Sequence, residues 1–190
     1  MMRKKSMISG LLILLSITML TSCGGAAMPS EEARAETPAE KALKDFSQQI
    51  EEGNLGELSL TIYYVNPNAY YFGPWSVEDL IYVHDYKIVV DGTRLEEHID
   101  LLKQMSNAAL MSVEHENNLD ARIYYVFETK QGEKILDVAM WGYDSGIDLS
   151  IYINGFEVKA NNIFFDVLIP FLPEDMVNIF KIFISYDEQT

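Results

Sequence analysis

The chain has 190 residues, 29 of them acidic and 14 basic, for a formal charge of −15. A surface this acidic repels phosphate backbones and anionic headgroups, which argues against nucleic acid as a partner and against an electrostatic grip on lipid. A single cysteine excludes an internal disulfide, so an apolar core has to hold the fold.

Arg3, Lys4 and Lys5 precede 13 residues, Ile8 to Leu20, that carry no charge. A basic prefix and a short apolar run make an export leader. The run is shorter than the roughly 20 apolar residues that a membrane span needs. It ends in Leu20-Thr21-Ser22-Cys23, followed by Gly24 and Gly25.

That tetrapeptide resembles the lipobox of bacterial lipoproteins, in which a Leu and two small residues precede the cysteine that receives a diacylglyceryl group. The resemblance implies cleavage of residues 1–22, lipidation of Cys23 with chains such as palmitate, and attachment to the extracytoplasmic face of the cell membrane. Two acyl chains give stable anchoring where one does not. A core cysteine that happens to follow an apolar stretch is the competing explanation, and it leaves the basic prefix and the glycines unaccounted for. Loss of the leader removes three basic residues and no acid, so the formal charge of the remaining 168 residues deepens by three to −18. Beyond the leader, the likeness to small exported lipoproteins is one of general style and carries no functional residue other than Cys23.

Residues 23–37 are small, polar and acidic, as expected of a flexible tether. Residues 38–190 are expected to form one α+β domain. Thr37-Pro38-Ala39-Glu40 has the form of a capping box with proline at the first helical position, and Leu43, Phe46 and Ile50 follow at helical spacing before Gly53. Leu58 to Val65 alternates as a half-buried strand would. Ala69 to Trp75 reads as an aromatic loop between Pro67 and Pro74, and Ser76 with Asp79 as the cap of a helical turn through Leu80.

A strand is predicted over Tyr86–Val90, closed by a turn at Asp91-Gly92. Thr93 and Glu96 suggest a second capping box, opening a helix from Arg94 to Met105. Strands follow over 109–113, 122–129, 135–141, 147–153 and 156–159. A hairpin falls at Gly132, and another at Asn154-Gly155, a pair that tolerates the positive φ of a tight turn. Ile163–Ile169 and Glu174–Phe183 read as helical pieces bounded by Pro170 and Pro173. Runs of adjacent strands with short turns imply one mostly antiparallel sheet packed by a few short helices.

Chemistry is sparse in this pattern. Three histidines, His84, His98 and His115, stand beside acids but show no paired zinc spacing, and none is assigned as a ligand. Asp144-Ser145-Gly146-Ile147-Asp148 has the look of an oxygen-rich loop, with Asp120 or Asp137 as candidate neighbours, yet it lacks the bidentate Glu of a calcium site and is read as an acidic turn. No nucleophile elbow, phosphate loop or dinucleotide fingerprint occurs. No catalytic residue, metal or cofactor is therefore expected.

Aromatic side chains are the better candidates. Tyr70, Tyr71, Phe72 and Trp75 occupy one loop, while Trp141 and Tyr143 stand at the end of a strand. Flat rings on loops can stack on sugars, prolines or peptide aromatics at little cost in rotamer entropy. The opposing explanation is that they fold back to cap the core. Taken together, the sequence suggests a non-enzymatic binding or interaction module with a protein, peptide or carbohydrate ligand. An accessory or structural subunit of an envelope complex is the alternative, and a small hydrolase the third.

Overall fold

Thr37 opens the first element of the computed structural model, which describes residues 35–66, 73–113, 119–142 and 149–182. Its hydroxyl accepts from the Glu40 amide at 3.2 Å, and the Glu40 carboxylate accepts from the Thr37 amide at 2.7 Å. This reciprocal box satisfies two amides that a helix start leaves unpaired. It launches α1 (Pro38–Glu51), whose buried stripe is Ala39, Ala42, Leu43, Phe46 and Ile50. Gly53, at φ +74°, turns the chain into a single 3₁₀ turn, Asn54–Glu57.

Seven strands are described: β1 (Leu58–Tyr64), β2 (Tyr86–Asp91), β3 (Met111–Ser112), β4 (Ile123–Thr129), β5 (Lys134–Met140), β6 (Leu149–Ile153) and β7 (Phe156–Ala160). They form one sheet in the order β2-β1-β4-β5-β6-β7-β3, with every neighbouring pair antiparallel. The α+β architecture expected from the sequence is the one present. β4 to β7 run as a meander, and Asn154 and Gly155 turn the β6–β7 hairpin with φ of 49° and 82°. The described residues, all from Ala35 onward, belong to one compact unit.

Helices cover one face of the sheet. Leu60, Ile62 and Tyr64 of β1, Ile123, Tyr125 and Phe127 of β4, and Val138 and Met140 of β5 point into a core shared with α1, α4 (Ile99–Ser106), α5 (Ile163–Asp166) and α6 (Glu174–Ile182). Two contacts fix that packing. Phe46 of α1 meets Phe127 with ring centroids 4.5 Å apart, and the buried Tyr125 hydroxyl donates to the Phe164 carbonyl at 2.9 Å. Phe180 of α6 closes the core end at which β5 finishes, edge-on to both Tyr64 and Phe165. A Cβ at Gly142 would meet the Phe180 ring at 2.9 Å, so the chain needs glycine where α6 docks.

Five expectations are corrected. β1 is covered beyond the expected half: its alternate positions Leu58, Leu60, Ile62 and Tyr64 are buried, but so are Thr61 and the following Val65, because a second apolar cluster of Val65, Leu80, Ala121, Tyr124, Val126 and Ala139 covers the far side of the central sheet beneath α2 (Val77–Val83). The helix over Arg94–Met105 is two helices, α3 (Gly92–Glu96) and α4, separated at His98. Its cap is Asp91, whose carboxylate accepts from the Arg94 amide at 3.1 Å; Thr93 lies inside the helix, and Asp91-Gly92 is a helix start, not a turn. The strand predicted over 109–113 is reduced to two residues at the sheet edge, paired with Val158 and Lys159.

Tyr64 is fully buried, stacked on Tyr86 at 4.9 Å, and its hydroxyl has no hydrogen-bond partner among the described residues. Burial first, then the neighbouring Tyr86, Asp175 and Asp85 charges, pushes its phenol up to about 12. A proton held more tightly in the folded than in the unfolded state stabilises fully below the ordinary tyrosine value near 10, and that contribution is lost as the pH rises through 10 to 12. The thermal midpoint is therefore expected to fall across this interval, and less steeply in Tyr64→Phe. Identical slopes for the two proteins would show that Tyr64 does not titrate with unfolding.

Candidate functional site

The connections at one end of the sheet meet around a buried arginine. Tyr64, Ile123 and Met140 form one row of that end, with β6 beginning beside it. There the Val65 amide donates to the Arg122 carbonyl and the Arg122 amide to the Met140 carbonyl, both at 3.0 Å. Trp75 is tied to the same place. Its amide donates to Asp120 Oδ1 at 3.1 Å, and its carbonyl accepts from the Ala121 amide at 2.9 Å.

Arg122 fills the middle of this arrangement, with a side chain only 8% exposed. Its guanidinium donates through Nη2 to Asp120 Oδ2 at 3.0 Å and lies 5.8 Å from the Trp75 ring centroid. A buried cation requires such a partner, because desolvation otherwise costs several kcal/mol. Asp120 thus bridges the Trp75 backbone and the arginine, and the indole covers the guanidinium. Trp141, directly after β5, comes to this end as well.

A row of rings continues along the sheet face that α2 covers, opposite α1 and α4 to α6. Tyr63 stacks on Tyr124 with centroids 6.1 Å apart, His84 meets Tyr63 edge-on at 5.1 Å, and Lys87 Nζ lies 5.1 Å above the Tyr63 ring. The Tyr124 hydroxyl donates to Asp137 Oδ2 at 3.3 Å, and the Lys134 ammonium pairs with the same oxygen. Burial, followed by the Asp137 charge, raises the Tyr124 phenol well above its ordinary range. At neutral pH this hydroxyl is a donor. The Asp137 amide and the Asn154 side-chain oxygen, joined at 2.8 Å, lock the network to the β6–β7 hairpin.

Of the residues singled out in the sequence, Trp75 and Trp141 are described, both half-buried and at the same end of the sheet. Trp75 packs on the second apolar cluster, so its ring serves the core as well as the surface. Cys23, Tyr70, Tyr71, Phe72, Tyr143, His115 and the acidic stretch 144–148 lie outside the described residues. Asp120 and Asp137 do not converge on a common centre, since each has its own cation, Arg122 and Lys134. Among the described residues there is no group of three potential metal ligands, and no helix long and apolar enough to cross a membrane. His84 approaches the Ile81 carbonyl at 2.8 Å through Nδ1, and His98 sits edge-on to Phe171 at the α3–α4 break.

Sequence reasoning passed over Arg122, Tyr63 and Tyr124. The two tyrosines occupy the alternate positions of their strands, which was visible. Their pairing was not, because it depends on the β1–β4 register, in which Tyr63 opposes Tyr124. No protein-family model, curated protein or solved structure matches this chain.

Proposed function

We propose that the chain is a lipid-anchored binding module of the extracytoplasmic membrane face, with its recognition surface at the sheet end that carries Trp75 and Trp141. The anchor rests on the leader and on Leu20-Thr21-Ser22-Cys23. The binding role rests on one observation: the chain's two tryptophans come to the same end, beside an arginine already neutralised by Asp120. Two half-buried indoles at this end, with the Tyr63–Tyr124 row nearby, suit an uncharged ligand with flat or stackable faces, such as a sugar ring or a proline-rich peptide. The acidic surface disfavours anions.

One experiment with two arms tests this. Because Trp75 and Trp141 are the whole tryptophan complement, indole emission reports on this end alone. The processed protein in detergent, titrated with a soluble oligosaccharide and with a proline-rich peptide, is expected to show a saturable emission change that Trp75→Ala weakens about tenfold or more, on the scale of one or two stacked rings. In the second arm, Cys23→Ala is expected to accumulate the longer precursor. Flat titrations with both probes would remove the binding role, and unchanged processing of Cys23→Ala would remove the anchor.

A further inference from the structure

The two edges of the sheet are unlike. β3, at one edge, is two residues long, a length that gives another strand little to pair with. The opposite edge is β2, six residues long, which among the described residues pairs with β1 alone. Here apolar groups are left in solvent: Val89 is 61% exposed and Tyr86 51%, and Tyr82, just before the strand, is 88% exposed. A long edge with apolar side chains is a template for another strand.

The residues of β2 indicate which strand fits. From the β1 register, Lys87, Val89 and Asp91 share the outer face with Tyr63, Thr61 and Ser59, while Tyr86, Ile88 and Val90 share the core face. When this strand is laid antiparallel against itself with Val89 opposite Val89, the outer face aligns Lys87 with Asp91 and Asp91 with Lys87. The core face aligns Ile88 with Val90 and Val90 with Ile88. Every pairing is complementary in charge or in apolarity. A shift of the twofold by one residue, to Ile88 or Val90, places Lys87 opposite Val89 or Asp91 opposite Val89 and loses both ion pairs.

We propose that two copies of this chain associate edge to edge through β2, about a twofold axis at Val89, joining their sheets into one continuous antiparallel sheet. A lysine on an edge strand ordinarily repels other edges. Here it selects, because the strand that presents a carboxylate at the matching position is a second copy of itself. Asp91 can fill both roles, since only its Oδ1 is used in capping α3. The formal charge of −15 on each copy opposes association, but at physiological ionic strength charges more than about 8 Å apart are largely screened, whereas directly opposed pairs are not. The isologous geometry is that of most small homodimers.

The test uses the full chain in detergent micelles. Sedimentation velocity is expected to show a concentration-dependent dimer. Lys87→Glu places Glu opposite Asp91, and Asp91→Lys places Lys opposite Lys87, twice per dimer in each case; either change should weaken association about tenfold or more. An equal mixture of the two variants restores opposite charges at all four positions and is expected to dimerise again. Should Asp91→Lys fail to fold for want of its helix cap, Val89→Cys gives an independent readout. Directly opposed residues in an antiparallel pair have Cα atoms about 4.5–5.5 Å apart, within disulfide reach. Mild oxidation should therefore yield a chain–chain link that peptide mapping assigns to 89–89. A monomer at all concentrations, or a dimer that survives Lys87→Glu and gives no 89–89 link, would overturn the proposal.

Discussion

Replacing Gly92 with alanine is expected to destabilise the fold by about 3 kcal/mol, at the upper end of what overpacking costs. In an exposed helix the same change would stabilise by up to about 1 kcal/mol, because alanine is the better helix former and loses less freedom on folding. The sign is reversed here by what lies against this position. A Cβ would stand 2.4 Å from the Leu55 carbonyl oxygen and 2.6 Å from Gly56 Cα. Both are backbone atoms of the 3₁₀ turn that buries Leu55, so no side-chain rotation relieves the overlap. Either α3 or the turn has to move, and β2 is continuous with α3. Urea unfolding of Gly92→Ala against the parent measures the loss, and an unchanged or higher midpoint would mean that α3 does not sit on the turn. Gly132→Ala is a useful comparison, since that position has open space and a positive φ, and only the backbone conformation, about 1–2 kcal/mol, is at stake.

Phe46→Ala should cost more still, about 3–5 kcal/mol. Phe46 has no exposed surface and is the centre of the α1 stripe, its ring set against Phe127 in the middle of the sheet. Truncation removes the ring and leaves a space whose walls belong to separate elements, a helix and a strand, which cannot both relax into it. Against a total stability of about 5–15 kcal/mol for a domain of this size, such a loss removes a large share. Phe46→Leu, which keeps most of the apolar volume, should cost appreciably less. Thermal unfolding followed by circular dichroism separates the cases, and a shift of less than a degree or two in Phe46→Ala would show that α1 is not docked through this residue.

How legible the fold was depended on whether a signal was local. Thr37 to Glu40 and Ser76 to Asp79 carry their capping boxes in four consecutive residues, and both are present. Asn154-Gly155 was legible because only residues tolerant of positive φ suit its turn. Asp91-Gly92 misled for the same local reason: the dipeptide favours turns, and nothing nearby in sequence reveals that Leu55 approaches Gly92. The alternation of β1 was legible, but its cover runs further than half because Tyr63 and the following Val65 pack on the second apolar cluster beneath α2.

The candidate site was legible only in its tryptophans. Arg122 looked like one basic residue at a strand start, and its burial depends on Asp120 and Trp75, the latter brought from 47 residues earlier in the chain. Tyr63 and Tyr124 meet through strand register, which is set by closure of the whole sheet and by no short segment of it.

The strand order also dictates a sequence of assembly. β4 to β7 are joined successively to their own neighbours, so each pairing closes a short loop and costs little chain entropy. β1 must instead find β4 with Leu58 opposite Thr129, a partner far along the polypeptide. The meander is therefore the natural nucleus and the β1–β4 seam the slow, late step, as expected where distant contacts dominate. During synthesis β1 has β2 for one neighbour early on, but its second, β4, emerges long after it.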